Sequence, residues 1–117
     1  MEQLQLNPAL DREQLRDITM DDEELMLEVL NALWTDTAAQ TPKLTAAVES
    51  RDREQTIRLA HYSKGACANV GACAAAAAFR KIEDSAKQND FASCSVSLAS
   101  LAVALVDLKS EIDRVQL

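Results

Sequence analysis

From Asp21 onward, apolar residues recur at spacings of three and four, the period of a helix that buries one face. The most regular run closes the chain, where Phe91, Cys94, Leu98, Leu101, Leu105, Leu108, Ile112 and Val115 alternate the two spacings. An earlier run holds Met26, Val29, Leu30, Leu33 and Trp34 and continues through Leu44, Ala47 and Val48. Between them lie two further stripes, one of Ile57, Ala60, Ser63, Cys67 and Val70, the other of Ala72, Ala75, Ala76, Phe79, Ile82 and Ala86. On the third stripe's helix, His61, Lys64, Gly65 and Ala68 fall on a neighbouring face directed to solvent.

Capping residues set the expected boundaries. Asp21 with Glu24, and Asp52 with Gln55, have the spacing of capping boxes. Gly71 is placed to end or bend the third helix, and Asn89 or Asp90 to cap the last. Asn7 followed by Pro8 reads as a cap with proline at the first helical position, predicting a lid helix over about residues 8–18 that carries Leu10, Leu15 and Ile18. Pro42 falls inside the second pattern and predicts a kinked helix running to Ser50, because an interior proline costs about 3 kcal/mol unless the helix bends. The expected fold is all-α: an antiparallel up-and-down four-helix bundle over about residues 21–116, with a short additional N-terminal helix, in one domain spanning 1–117. A coiled-coil dimer through the last seam is the weaker reading, since the other three apolar stripes also need a partner.

Composition agrees. With 48% apolar but only 3% aromatic residues, two Gly and two Pro, the chain favours helices packed through Ala, Leu and Val over a sheet. The net charge of −7 excludes a nucleic-acid binder, which needs clustered Lys and Arg. That charge is uneven: residues 1–50 hold 3 basic and 11 acidic side chains, whereas residues 51–90 hold 7 and 5. Arg51, Arg53, Arg58 and Lys64 in this segment would suit an acidic partner surface, or form a solvated helix face. Cys67, Cys73 and Cys94 show no paired spacing and read as small buried residues in a reducing compartment. No apolar stretch is expected to span a bilayer, and residues 1–5 lack the pattern of a signal peptide, so a cytoplasmic protein without a membrane partner is expected.

The single histidine, His61, concentrates the candidate chemistry. Its same-face neighbours one turn on are Lys64, a cation, and Gly65, which has no side chain. An unperturbed imidazole titrates near pH 6.5, so roughly three quarters of it is neutral and nucleophilic at pH 7. The run Ala60, His61, Lys64, Gly65, Asn69 and Gly71 resembles the signature of the histidine-containing phosphotransfer (HPt) domain. The likeness extends to the short leading helix and a proline in the second helix, and covers nearly the whole chain. Ser63 departs from it, standing where the family has a large apolar residue; its hydroxyl can bond back to the Leu59 carbonyl.

The resemblance implies a phosphorelay intermediate: His61 accepts a phosphoryl group from a receiver-domain aspartyl phosphate, through Nε2, and passes it to another receiver. Lys64 would neutralise charge on the phosphoryl oxygens, an effect of about 1 kcal/mol or less when exposed. Arg58, Gly65 and Ala68 would line the docking surface, with Gly65 giving clearance, and Asn69 would bond within the bundle. Partners would be response-regulator receivers and a sensor or hybrid histidine kinase, with the chain itself a monomer. No cofactor is expected, since the receiver would supply Mg²⁺, and no kinase or P-loop signature is present, so the chain is expected to carry phosphate rather than act as an enzyme.

Other classes fit less well. A bundle metal centre would need Glu-x-x-His pairs, and the residue three before His61 is Arg58. A hydrolase would need a nucleophile beside His61, and Cys67, six residues on, lies on a different side of the helix, facing inward. Tyr62 reads as a partly buried helix residue and Trp34 as core. The alternative kept open is a helical module of the same fold that binds receivers without phosphotransfer.

Overall fold

The computed structural model describes residues 7–115, and among them finds five helices and no strand. They are α1 (Arg12–Thr19), α2 (Glu23–Glu49), α3 (Arg53–Val70), α4 (Cys73–Lys87) and α5 (Phe91–Val115). Residues 1–5, on which the signal-peptide reading rests, lie outside the described residues. The four long helices touch in a ring, each of α2 and α4 packing on both α3 and α5, with α1 laid across α2 and α3. The links at 50–52, 71–72 and 88–90 are too short to carry the chain to the other end of a helix, so each helix starts where its predecessor stops.

The core is the inside of that ring. Leu30, Leu44, Phe79, Ile82, Leu101, Leu108 and Ile112 are fully buried, each such burial contributing about 1.5–3 kcal/mol. Ala60, Ala72, Ala75 and Ala86 are equally inaccessible, and their small size lets α3 and α4 approach closely. Trp34 packs against this core from a half-buried position, as expected. Cys67 and Cys94 are buried, while Cys73 is only partly so, and all three are free thiols.

Several boundaries differ from expectation. The lid is not helical from Pro8; it begins at Arg12 with Asp11 as cap, accepting from the Gln14 N–H. The preceding residues spend their backbone groups on the α3–α4 turn instead: the Pro8 carbonyl accepts from the Ala74 N–H at 2.9 Å, and the Asp11 N–H donates to the Gly71 carbonyl at 2.8 Å. Because Ala72 offers no side-chain cap to α4, Pro8 supplies the missing acceptor. Ahead of α2, Asp21 lies in the left-handed region at φ 62 and donates its N–H to the Arg16 carbonyl, so the cap passes to Asp22, which accepts from the Leu25 N–H. Asp52 and Asp90 cap α3 and α5 as expected. Helix α2 runs through Pro42 unbroken to Glu49.

Gly71 closes α3 at φ +100, donating to the Cys67 carbonyl. A Cβ there would come within 2.9 Å of the Asp11 carbonyl oxygen, so glycine is required twice over, by conformation and by space. Helix α5 also corrects the expectation about apolar length, for by length and composition it could cross a membrane. In the bundle it stands as a packed helix whose inner face of Cys94, Leu101, Leu108 and Ile112 completes the core.

Candidate functional site

Helix α3 positions His61 by burying the opposite side of the same turn. Ala60, Ser63 and Cys67 face the core, which leaves His61 one residue around the helix with its side chain 67% exposed. Ser63 is buried as expected, but its hydroxyl makes no bond to the Leu59 carbonyl. Lys64 is half-buried and Gly65 opens a hollow beside the imidazole, since a Cβ placed on it would meet no atom within 4 Å. The clearance read from the sequence is therefore present.

The imidazole is not alone. Its Nδ1 lies 2.9 Å from Oε2 of Glu83, a residue of α4 whose side chain is only 5% exposed. Lys64 donates from Nζ to the other oxygen, Oε1, at 2.7 Å, and Lys87 Nζ lies 3.3 Å from Oε2. One buried carboxylate thus holds an imidazole and two ammonium groups. Burial by itself would raise the Glu83 pKa, but hydrogen bonds from Lys64, His61 and Lys87 outweigh it and hold the group down at about 2.

An ionised Glu83 has no proton to give, so the hydrogen in the His61–Glu83 bond belongs to Nδ1. In the neutral ring that assignment leaves the Nε2 lone pair free, on the side away from the carboxylate. The arrangement orients a nucleophilic nitrogen outward without a general base.

Other expected site residues are placed less tightly. Arg58 is exposed on the same side of α3 and approaches Glu54 at 3.8 Å. Ala68 is exposed, and its carbonyl accepts from Gln14 Nε2 at 2.6 Å, which ties α1 to the end of α3. Asn69 does not bond through its side chain within the bundle; it is exposed, and only its carbonyl accepts from Gln14, at 3.3 Å. Tyr62 is more exposed than expected, at 53%, and the nearby Asp36 carboxylate raises its pKa. Burial pushes the Cys67 thiol up to about 11, so it is no nucleophile for His61 to activate. Among the described residues no group of three His, Cys, Asp or Glu side chains is placed to hold a metal ion.

Glu83 and Lys87 were not foreseen as part of the site. The legible signal was Glu83 itself, a carboxylate set between Phe79, Ile82 and Ala86 on a face otherwise apolar.

An all-helical bundle that turns one imidazole outward, with cations beside it and room for a second protein to approach, is of the phosphotransfer-module class. The chain belongs to the Hpt domain family, whose model matches residues 28–116. Its fold is similar to that of histidine-containing phosphotransfer protein B (HptB) from Pseudomonas aeruginosa PAO1, with a TM-score of 0.77 and 23% identity over 93% of this chain and 98% of the other. It is also similar to the phosphotransfer protein MtHPt2 from Medicago truncatula, with a TM-score of 0.73 and 22% identity over 92% of this chain and 79% of the other. No curated protein matches it significantly. Membership assigns a histidine phosphotransfer role in phosphorelays, in a family of carriers that works with the receiver domains and kinases of two-component systems.

Proposed function

We propose that His61 is the phosphorylated residue, taking a phosphoryl group from a receiver's aspartyl phosphate and giving it to a second receiver. The observation that carries this reading is the 2.9 Å bond from Nδ1 to a buried, ionised Glu83 on an imidazole that is itself exposed. In the step, the Nε2 lone pair forms a bond to phosphorus while the bond from phosphorus to the aspartyl oxygen breaks and its electrons leave with the carboxylate. The Nδ1 proton stays in place, and the positive charge gained by the ring is balanced by Glu83. Such transfer needs positioning and charge compensation more than acid or base groups. The receiver supplies Mg²⁺, so this chain needs no metal or cofactor of its own.

Lys64 stabilises the transferred group, turning from Glu83 Oε1 toward the phosphoryl oxygens; Lys87 then retains the carboxylate. Gly65 and Ala68 form the surface that the receiver approaches, with Arg58 at its edge meeting acidic side chains of the partner. Phosphate reaches His61 from partner proteins, and a cytoplasmic location goes with that role. Incubation with a labelled phospho-receiver tests the proposal. The parent chain gains a label that is lost in acid and kept in base, and His61→Gln gains none while keeping its fold, since Lys64 and Lys87 still hold the Glu83 carboxylate. A receiver-binding parent that never gains label would leave only the interaction-module reading.

A further inference from the structure

Helix α5 carries more apolar surface than the bundle uses. The sixteen residues from Phe91 to Val106 contain no charge, yet only 28% of the helix's most apolar stretch is buried. Val96, Val103 and Val106 remain 70%, 62% and 66% exposed, and their spacing of seven and three aligns them on one outward line together with exposed Ala92 and Ala99. Because α5 packs on α2 and α4 but not on α3, this line lies on the side of the ring away from His61.

We propose that this line is the interface of a homodimer, in which α5 of one copy packs antiparallel on α5 of a second about a twofold axis near Ala99 and Ser100. In that register Val96 meets Val103 of the second copy, and both charge-free stretches overlap fully. The charged residues at the borders also match. Lys81 and Asp107 line one hollow with Val103, and neither has an ion-pair partner among the described residues. The bond from Cys94 Sγ to the Ile82 carbonyl sets Ile82 level with Cys94, and hence Lys81 level with Ser95. The twofold then carries Lys81 to the level of Ala104 of the second copy, about 4.5 Å along the axis from its Asp107 and on the same flank. Two such pairs close the interface symmetrically.

A helix face about 24 Å long and about 10 Å wide, with its flanks on α4, buries about 500–600 Å² per copy, the size of a weak, transient association. A bilayer fits less well, for the line has no aromatic anchor, no Lys or Arg on its borders except Lys81 and Lys109, and a chain charge of −7. In this proposal the chain, expected as a monomer, forms a weak dimer that leaves both copies of His61 accessible.

Sedimentation of the full chain from about 5 μM to about 500 μM tests it, spanning the dissociation constants expected of a weak interface. A concentration-dependent dimer is expected. Val103→Glu raises the dissociation constant at least about tenfold, Lys81→Glu raises it less, and adding Asp107→Lys to Lys81→Glu restores it. Phosphotransfer to His61 in Val103→Glu continues at the parent rate, so failure here is separable from failure of the phosphotransfer reading. A parent chain monomeric throughout, a dimer indifferent to both Val103→Glu and the charge exchange, or a monomer that binds phosphatidylcholine vesicles through this line would each overturn the proposal.

Discussion

The hydrogen between His61 and Glu83 decides which nitrogen of the ring can attack. Glu83 is ionised down to about pH 2, so the hydrogen stays on Nδ1 and Nε2 remains the nucleophile. In Glu83→Ala, ¹⁵N shifts of the imidazole are expected to move from one neutral tautomer toward a mixture of two. The same substitution removes an acid dependence of stability. A carboxylate whose folded pKa lies below its unfolded value of 4.5 stabilises the fold above pH 4.5 and loses that contribution as pH falls toward about 2. The full difference corresponds to about 3 kcal/mol, reduced by screening at the partly exposed lysines, so urea titrations should show a gap between parent and variant at pH 6 that shrinks several-fold at pH 2.5 without closing. Gly65 tests the hollow: Gly65→Gln should raise stability by about 0.5–1 kcal/mol through helix propensity while lowering the transfer rate at least about tenfold. A rate equal to the parent's would show that clearance is not what the glycine provides. His61, Lys64 and Gly65 were legible because they share one helix; Glu83 was not, because its role depends on how α4 is rotated against α3.

At the scale of elements, the lid and the turn between α3 and α4 form one unit. Asp11 pairs with Gly71, Pro8 caps α4 through Ala74, and Gln14 holds the last carbonyls of α3. Gly71→Ala forces a left-handed Cβ against the Asp11 carbonyl and should cost about 2 kcal/mol, read as a lower melting temperature together with faster hydrogen exchange in α1. A change confined to α3 would show that the lid is not anchored there. The caps at Asp52 and Asp90 were readable because an acidic residue three positions before its N–H partner is a local signal. Asn7 with Pro8 carried an equally good local signal, but the acceptor that α4 lacks drew those residues into a tertiary bond instead. Asp22 displaced Asp21 for a comparable reason, since two consecutive left-handed residues are needed to turn α1 into α2.

In the whole molecule, the ring of helices separates two surfaces. One side of α3 offers His61 and the hollow at Gly65; the far side, on α5, offers the valine line. Helix number and the buried stripes could be read from the spacing of apolar residues, whereas the excess of apolar surface on α5 emerges only once its core face is known. A relay whose two faces serve different partners can dimerise without hiding its nucleophile.

The relay chemistry requires phosphate to reside at Nε2 of His61. The direct measurement is ³¹P NMR of the chain carrying ¹⁵N-histidine after transfer from a phospho-receiver. A phosphorus signal coupled to Nε2 of the single histidine is predicted. Phosphorus coupled to Nδ1, or bound to the chain with no coupling to histidine nitrogen, would contradict it.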